Sequence, residues 1–70
     1  MAFGVIVFKT TYLTFKAERT LKKAGIPCKI VTKPRAIGSD CGLAVSIDRA
    51  DETAATTLLE REGIEKLGVW

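Results

Sequence analysis

One short stretch, Pro34-Arg35-Ala36-Ile37-Gly38-Ser39-Asp40-Cys41-Gly42, gathers a thiol, a guanidinium, a hydroxyl and a carboxylate within a single turn. A cysteine thiolate is a nucleophile, so the chemistry open to this set is that of a reactive, exchangeable thiol. Arg35 could turn back across the loop and stabilise a Cys41 thiolate, and Ser39 could donate it a hydrogen bond. Asp40 works the other way, because a neighbouring carboxylate disfavours a second negative charge. Gly42 leaves room for a backbone or a partner to approach. Plain structural readings stand beside these. Cys41 continues the inward parity of Leu43 and Val45 and could be a small buried hydrophobe. Pro34, which cannot donate to a ladder, simply ends a strand. Ser39 and Asp40 are common turn formers, and Arg35 reads equally as a solvated charge.

Several chemistries are disfavoured at once. There are no histidines, which removes the usual neutral-pH acid/base and the commonest metal ligand together. The two cysteines, Cys28 and Cys41, form no C-x-x-C spacing for metal binding or dithiol exchange. Neither a glycine-rich phosphate loop nor a paired acid/base constellation is present, which argues against a free-standing enzyme.

The surrounding chain must position this turn. Seventy residues with 47% hydrophobic content predict one domain over residues 1–70, folded around one thin core. The apolar run Val5-Ile6-Val7-Phe8 is far too short to span a membrane, and no basic region or small-residue cleavage site precedes it. The expectation is a cytoplasmic protein with reduced thiols, without a membrane partner. The net charge of +3 hides an asymmetry. Residues 1–35 hold Lys9, Lys16, Arg19, Lys22, Lys23, Lys29, Lys33 and Arg35 against Glu18 alone, whereas most of the acids fall in residues 36–70. This reads as solvated helix faces and an edge strand, or as attraction for an anionic partner or head-to-tail self-association.

Phe3 to Phe8 is β-branched and aromatic, suited to a central strand. Thr10-Thr11 offers hydroxyl caps for a helix whose buried stripe would be Leu13, Ala17, Leu21 and Ala24. Gly25 would end it, with Lys22 and Lys23 at the negative end of the helix dipole. Ile26 to Lys33 reads as a second strand, and Pro27 and the lysines mark it as an edge. Leu43 to Asp48 alternates, sending Leu43, Val45 and Ile47 toward the helices and Ala44 and Ser46 outward. Asp48 or Asp51 would cap a second helix running to about Glu62, with Ala54, Ala55, Leu58 and Leu59 as its apolar face. Gly63 ends that helix, and Ile64 to Trp70 forms a short last strand. Tyr12, Phe15 and Trp70 read as core or edge packing.

Leu21-x-x-x-Gly25-Ile26 returns as Leu59-x-x-x-Gly63-Ile64, 38 positions later, and the same offset carries Gly4-Val5-Ile6-Val7 onto Gly42-Leu43-Ala44-Val45. Two β-α-β halves in register predict an α+β, ferredoxin-like β-α-β-β-α-β fold, with one antiparallel four-stranded sheet packed by two helices on one face. The two middle strands in sequence would then form a hairpin, with Lys33 near Gly42 and Cys28 near Ile47. Cys28 and Cys41 would lie about 17 Å apart at ~3.4 Å per residue, well beyond the ~7 Å between Cα atoms that a disulfide tolerates. Neither a disulfide nor a shared metal site is expected. Cys28, beside Ile30, reads as packing.

With these motifs in place, the chain resembles the selenium/sulfur carrier-like family of small domains. The resemblance rests on Lys-Ala-Gly25-Ile26-Pro27, on Pro34-Arg35-x-Ile37-x-Ser39-Asp40-Cys41-Gly42, on Lys16-Ala17-Glu18 in an aromatic-rich first helix and on Glu-x-Gly63-Ile64, and so covers nearly the whole chain. It implies that Cys41 is a carrier thiol, supported by Arg35, Ser39, Gly42 and Pro34. It implies no resident cofactor beyond sulfur or selenium bound covalently to Cys41, and a sulfur/selenium donor or acceptor protein as partner. Gly38 stands where the family usually has a serine, which removes one hydroxyl from the loop.

The readings that remain are a thiol-dependent carrier or accessory protein and a non-catalytic regulatory or protein-interaction module in which Cys41 is structural. The second would include a homodimer through a sheet edge or face. Nucleic acid is disfavoured, since recognition by such a sheet needs outward aromatics, and Lys29, Val31, Ala44 and Ser46 supply none.

Overall fold

The computed structural model describes residues 2–35 and 42–70. Ser39 and Cys41 therefore lie outside the described residues, as do Gly38 and Asp40. The chain forms β1 (Phe3–Val7), α1 (Thr11–Lys23), β2 (Cys28–Thr32), β3 (Leu43–Asp48), a 3₁₀ turn at Arg49–Asp51, α2 (Glu52–Arg61) and β4 (Gly68–Val69). The strands lie in the order β2-β3-β1-β4 with every neighbouring pair antiparallel, which is the expected α+β ferredoxin-like arrangement. β2, with its proline entry and its lysine, is at an edge. The sheet's central strands are β1 and β3, so the outward side chains that bear on nucleic-acid stacking include those of β1. Among them the one aromatic is Phe3, at the strand's first position.

Side-chain alternation divides the sheet into two faces. Ile6, Val45 and Ile47 meet Ala17 and Leu21 of α1 and Ala55 and Leu59 of α2 in the main core, joined by Phe8 and Ile64. Cys28 and Ile30 pack at its edge. On the opposite face Val7 and Ala44 are buried against Val5 and Val31. Ala44 is outward-facing, as its parity requires, yet fully buried.

The helix ends explain half of the sequence repeat. After α1, Ile26 N–H donates to Leu21 C=O (2.9 Å) and Gly25 N–H to Lys22 C=O (3.0 Å). After α2, Ile64 N–H donates to Leu59 C=O (2.9 Å) and Gly63 N–H to Glu60 C=O (3.1 Å). Both are Schellman caps, which need a residue in the left-handed region, and Gly25 (φ 81) and Gly63 (φ 71) supply it. The leucine and isoleucine of each motif are the apolar pair that closes such a cap. The strand half of the repeat does not hold. The 38-residue offset carries Ile6 of the helix-facing side onto Ala44 of the opposite face, so the two glycine-led tetrapeptides are not structural equivalents.

Other expectations shift in detail. On α1 the buried stripe is Thr14, Ala17 and Leu21. Ala24 is the exposed C-cap, because the chain leaves the helix axis there, and Thr14 takes a core position by donating its hydroxyl to Thr10 C=O at 3.0 Å. On α2, Ala55 and Leu59 are buried, whereas Ala54 sits about 100° away around the helix and is exposed. Asp48 caps the 3₁₀ turn by accepting from Ala50 N–H (2.9 Å), and Asp51, at the start of α2, makes no side-chain cap bond. β4 is shorter than Ile64 to Trp70, because Ile64 is used in the α2 cap and core. Leu67 N–H to Val7 C=O (2.8 Å) and the paired Val5–Trp70 bonds extend its ladder at both ends.

Thr10 is the α1 N-cap, accepting from Leu13 N–H at 3.1 Å through its hydroxyl. Thr10→Ala is expected to cost about 1 kcal/mol, seen as a Tm lower by roughly 4–8 °C, with Thr10→Asp retaining most of the stability.

Candidate functional site

The segment that carries Cys41 is bounded by Pro34-Arg35 and Gly42, and the sheet register fixes where those ends stand. Thr32 pairs with Leu43, and Lys33 N–H then donates to Gly42 C=O at 2.9 Å, one step beyond the strands. Pro34 follows without an N–H to offer, so the chain leaves the ladder there. Lys33 next to Gly42 and Cys28 opposite Ile47 are the predicted hairpin register. Pro34, Arg35 and Gly42 are all exposed, and a Cβ added at Gly42 would meet nothing within 4 Å. No backbone among the described residues fills the space at Gly42.

Val7 pairs with Ala44, so the end of β1 lies at this same end of the sheet. The chain continues through exposed Lys9 into the N-terminus of α1, whose first turn contains no acidic residue. That places the positive end of the α1 dipole, Lys9, Lys33 and Arg35 at one end of the molecule. Neither Lys9 nor Arg35 forms an ion pair with a described residue, whereas Lys66, on the approach to β4, is held by Glu60 at 3.6 Å. These cations would favour a nearby anion, while the C-terminal end of α2, with Glu62 and Glu65, leads into β4 beside Val7 and brings negative charge to the same end.

Cys28 occupies the opposite end of β2. It is half-buried against the main core, and its Sγ donates to Glu18 C=O at 3.6 Å. Burial pushes its pKa up, the Glu18 carboxylate adds to the rise, and Lys22 only partly offsets them. Cys28 is therefore a packing thiol with little thiolate at neutral pH, as its position beside Ile30 predicts. Among the described residues no three His, Cys, Asp or Glu side chains cluster as a metal site.

The structure also contains a surface feature outside the sequence-based reading. Tyr12 and Phe15, expected to pack inside or at an edge, are 70% and 49% exposed on the outer face of α1. With Lys16, Arg19 and Lys23 they line a groove that Leu58 and Glu62 of the α2 end close on the other side. The signal was present in the spacing. Positions 12, 15/16, 19 and 23 form a second helical stripe, turned away from Ala17 and Leu21.

Among the described residues no helix is long and apolar enough to cross a membrane. A family model described as "Putative Se/S carrier protein-like" matches residues 3–70. Neither the curated proteins nor the solved structures contain a match to the chain.

Proposed function

The chain belongs to the Se/S carrier protein-like family, and from that premise we propose that it is a chalcogen carrier whose working group is the Cys41 thiolate, handled by a donor and an acceptor protein. The supporting observation is the placement of the segment's two ends. Arg35 and Gly42 stand at the end of the sheet to which Lys9, Lys33 and the α1 N-terminus bring positive charge, and no described residue crowds Gly42.

In the transfer, the Cys41 thiolate attacks the terminal sulfur of a donor persulfide. A new S–S bond forms at Cys41 Sγ, the donor's own S–S bond breaks, and its electron pair leaves on the donor thiolate. The sulfur keeps its oxidation level, so no outside oxidant or reductant enters, and a selenium atom in the terminal position would follow the same path. Passing the atom on repeats the exchange with the acceptor thiolate as nucleophile and Cys41 as leaving group. Arg35 and the surrounding cations stabilise the anion at each stage, Ser39 offers a hydrogen bond, and Pro34 fixes where the loop departs. Such a carrier works in a reducing compartment such as the cytoplasm, where its thiol persists.

Alkylation rate against pH, read by intact mass and peptide mapping, tests this reading. Cys41 is expected to label quickly, with a midpoint well below the free-thiol value of about 8.5, while Cys28 lags because burial raises its pKa. Labelling of Cys41 only after denaturation would mean a core thiol and would favour an interaction module instead.

A further inference from the structure

The groove on the outer face of the helix layer has a composition that specifies an occupant. Its lining is apolar at Tyr12, Phe15, Ala24 and Leu58 and carries the cations Lys16, Arg19 and Lys23 against a single carboxylate, Glu62. The three cations form no ion pair with any described residue, and the Lys16 ammonium lies 5.9 Å above the Tyr12 ring. Large apolar side chains held exposed between unneutralised cations are what an acidic amphipathic helix complements. Its apolar side enters the groove while its flanking carboxylates meet the cations.

We propose that this groove docks an acidic amphipathic helix of a partner protein. The site is independent of the Cys41 reading: it lies along α1 and the end of α2, and uses no residue of the 34–42 segment. A second copy of this chain, placed symmetrically on the same groove, would oppose Lys16, Arg19 and Lys23 to themselves, which electrostatics disfavours. A nucleic acid could use the cations and the two exposed rings, but it would also meet the Glu62 carboxylate and leave Leu58 without an apolar partner, so it is the competing outcome of the test.

The test is a titration of the isotope-labelled full chain, followed by backbone amide shifts. The probe is a synthetic helical peptide with leucines at i, i+3, i+4 and i+7 flanked by glutamates. Shifts are expected to concentrate on Tyr12–Lys23 and Leu58–Glu62, and the double variant Lys16→Glu/Arg19→Glu should weaken binding about tenfold or more, as two exposed attractions become repulsions. Tyr12→Ser, at a highly exposed position, should weaken it while leaving the melting curve in place. The proposal is overturned if the peptide does not bind, if a glutamine-for-glutamate peptide binds equally well, or if the shifts map elsewhere. It is equally overturned if oligouridylate produces the same shifts more tightly, or if they arise from protein concentration alone.

Discussion

Leu21→Ala is expected to leave little folded protein at 25 °C. Leu21 is fully buried, and its side chain serves twice: it packs in the main core against the sheet, and it is the leucine half of the apolar pair that closes the α1 cap. Removing a buried leucine side chain costs about 2–5 kcal/mol through lost transfer energy and the cavity left behind. A domain of this size holds only ~3–5 kcal/mol in total, so the substitution consumes most or all of its stability. Leu59→Ala should behave alike, because Leu59 holds the same position in the α2 cap. Urea titration followed by circular dichroism gives the answer directly. Phe15→Ser is the contrast, since a half-exposed residue away from the core should change stability by no more than about 0.5 kcal/mol. A Leu21→Ala midpoint within that same margin would mean the core is packed otherwise than described.

Cys41→Ser is expected to abolish chalcogen loading while leaving the fold intact. Incubation with a small-molecule persulfide should add the mass of one sulfur atom to the native protein, mapped to the Cys41 peptide. The adduct should fall to background in Cys41→Ser and persist in Cys28→Ser, because burial and the Glu18 carboxylate keep the Cys28 thiol protonated. Unfolding midpoints of the native and Cys41→Ser proteins should agree within about 0.5 kcal/mol if the thiol is not packed in the core. A Cys41→Ser protein that melts several degrees lower, together with a native protein that takes up no sulfur, would transfer Cys41 to the structural role. The groove on α1 would be unaffected by that result.

Much of the scaffold was legible because it follows from two periodicities. Alternation along Cys28–Thr32 and Leu43–Asp48 sets the hairpin register down to the residue, since a slip of one would turn Ile30, Val45 and Ile47 out of the core. Ala17 and Leu21 identify the inner face of α1, and each Gly-Ile pair marks a helix end. What misled was similarity that carries no facing information. Gly4–Val7 and Gly42–Val45 look alike because both are short apolar runs after a glycine, yet Ile6 and Ala44 end on opposite sides of the sheet. Hydrophobicity also predicts burial poorly in the reverse sense: Tyr12 and Phe15 are apolar and exposed, while Thr14 is polar and buried because Thr10 C=O receives its hydroxyl. The reading of Ser39 and Cys41 falls on positions outside the described residues, so the site is defined by its anchors, Arg35 and Gly42, and by the cations around them.

The strand order β2-β3-β1-β4 has a consequence for how the molecule comes into being. The two strands of the first half, β1 and β2, never touch, because β3 lies between them; β3 and β4 of the second half are likewise held apart by β1. A nascent chain emerging as far as β2 has two strands and no ladder to place them in. The sheet begins only when β3 arrives to fill the gap, and loop-closure entropy has to be met before any of its hydrogen bonds forms. A chain cut between Arg35 and Gly42 would yield two pieces, each lacking the neighbour that its own strands need and each supplying the one that the other lacks.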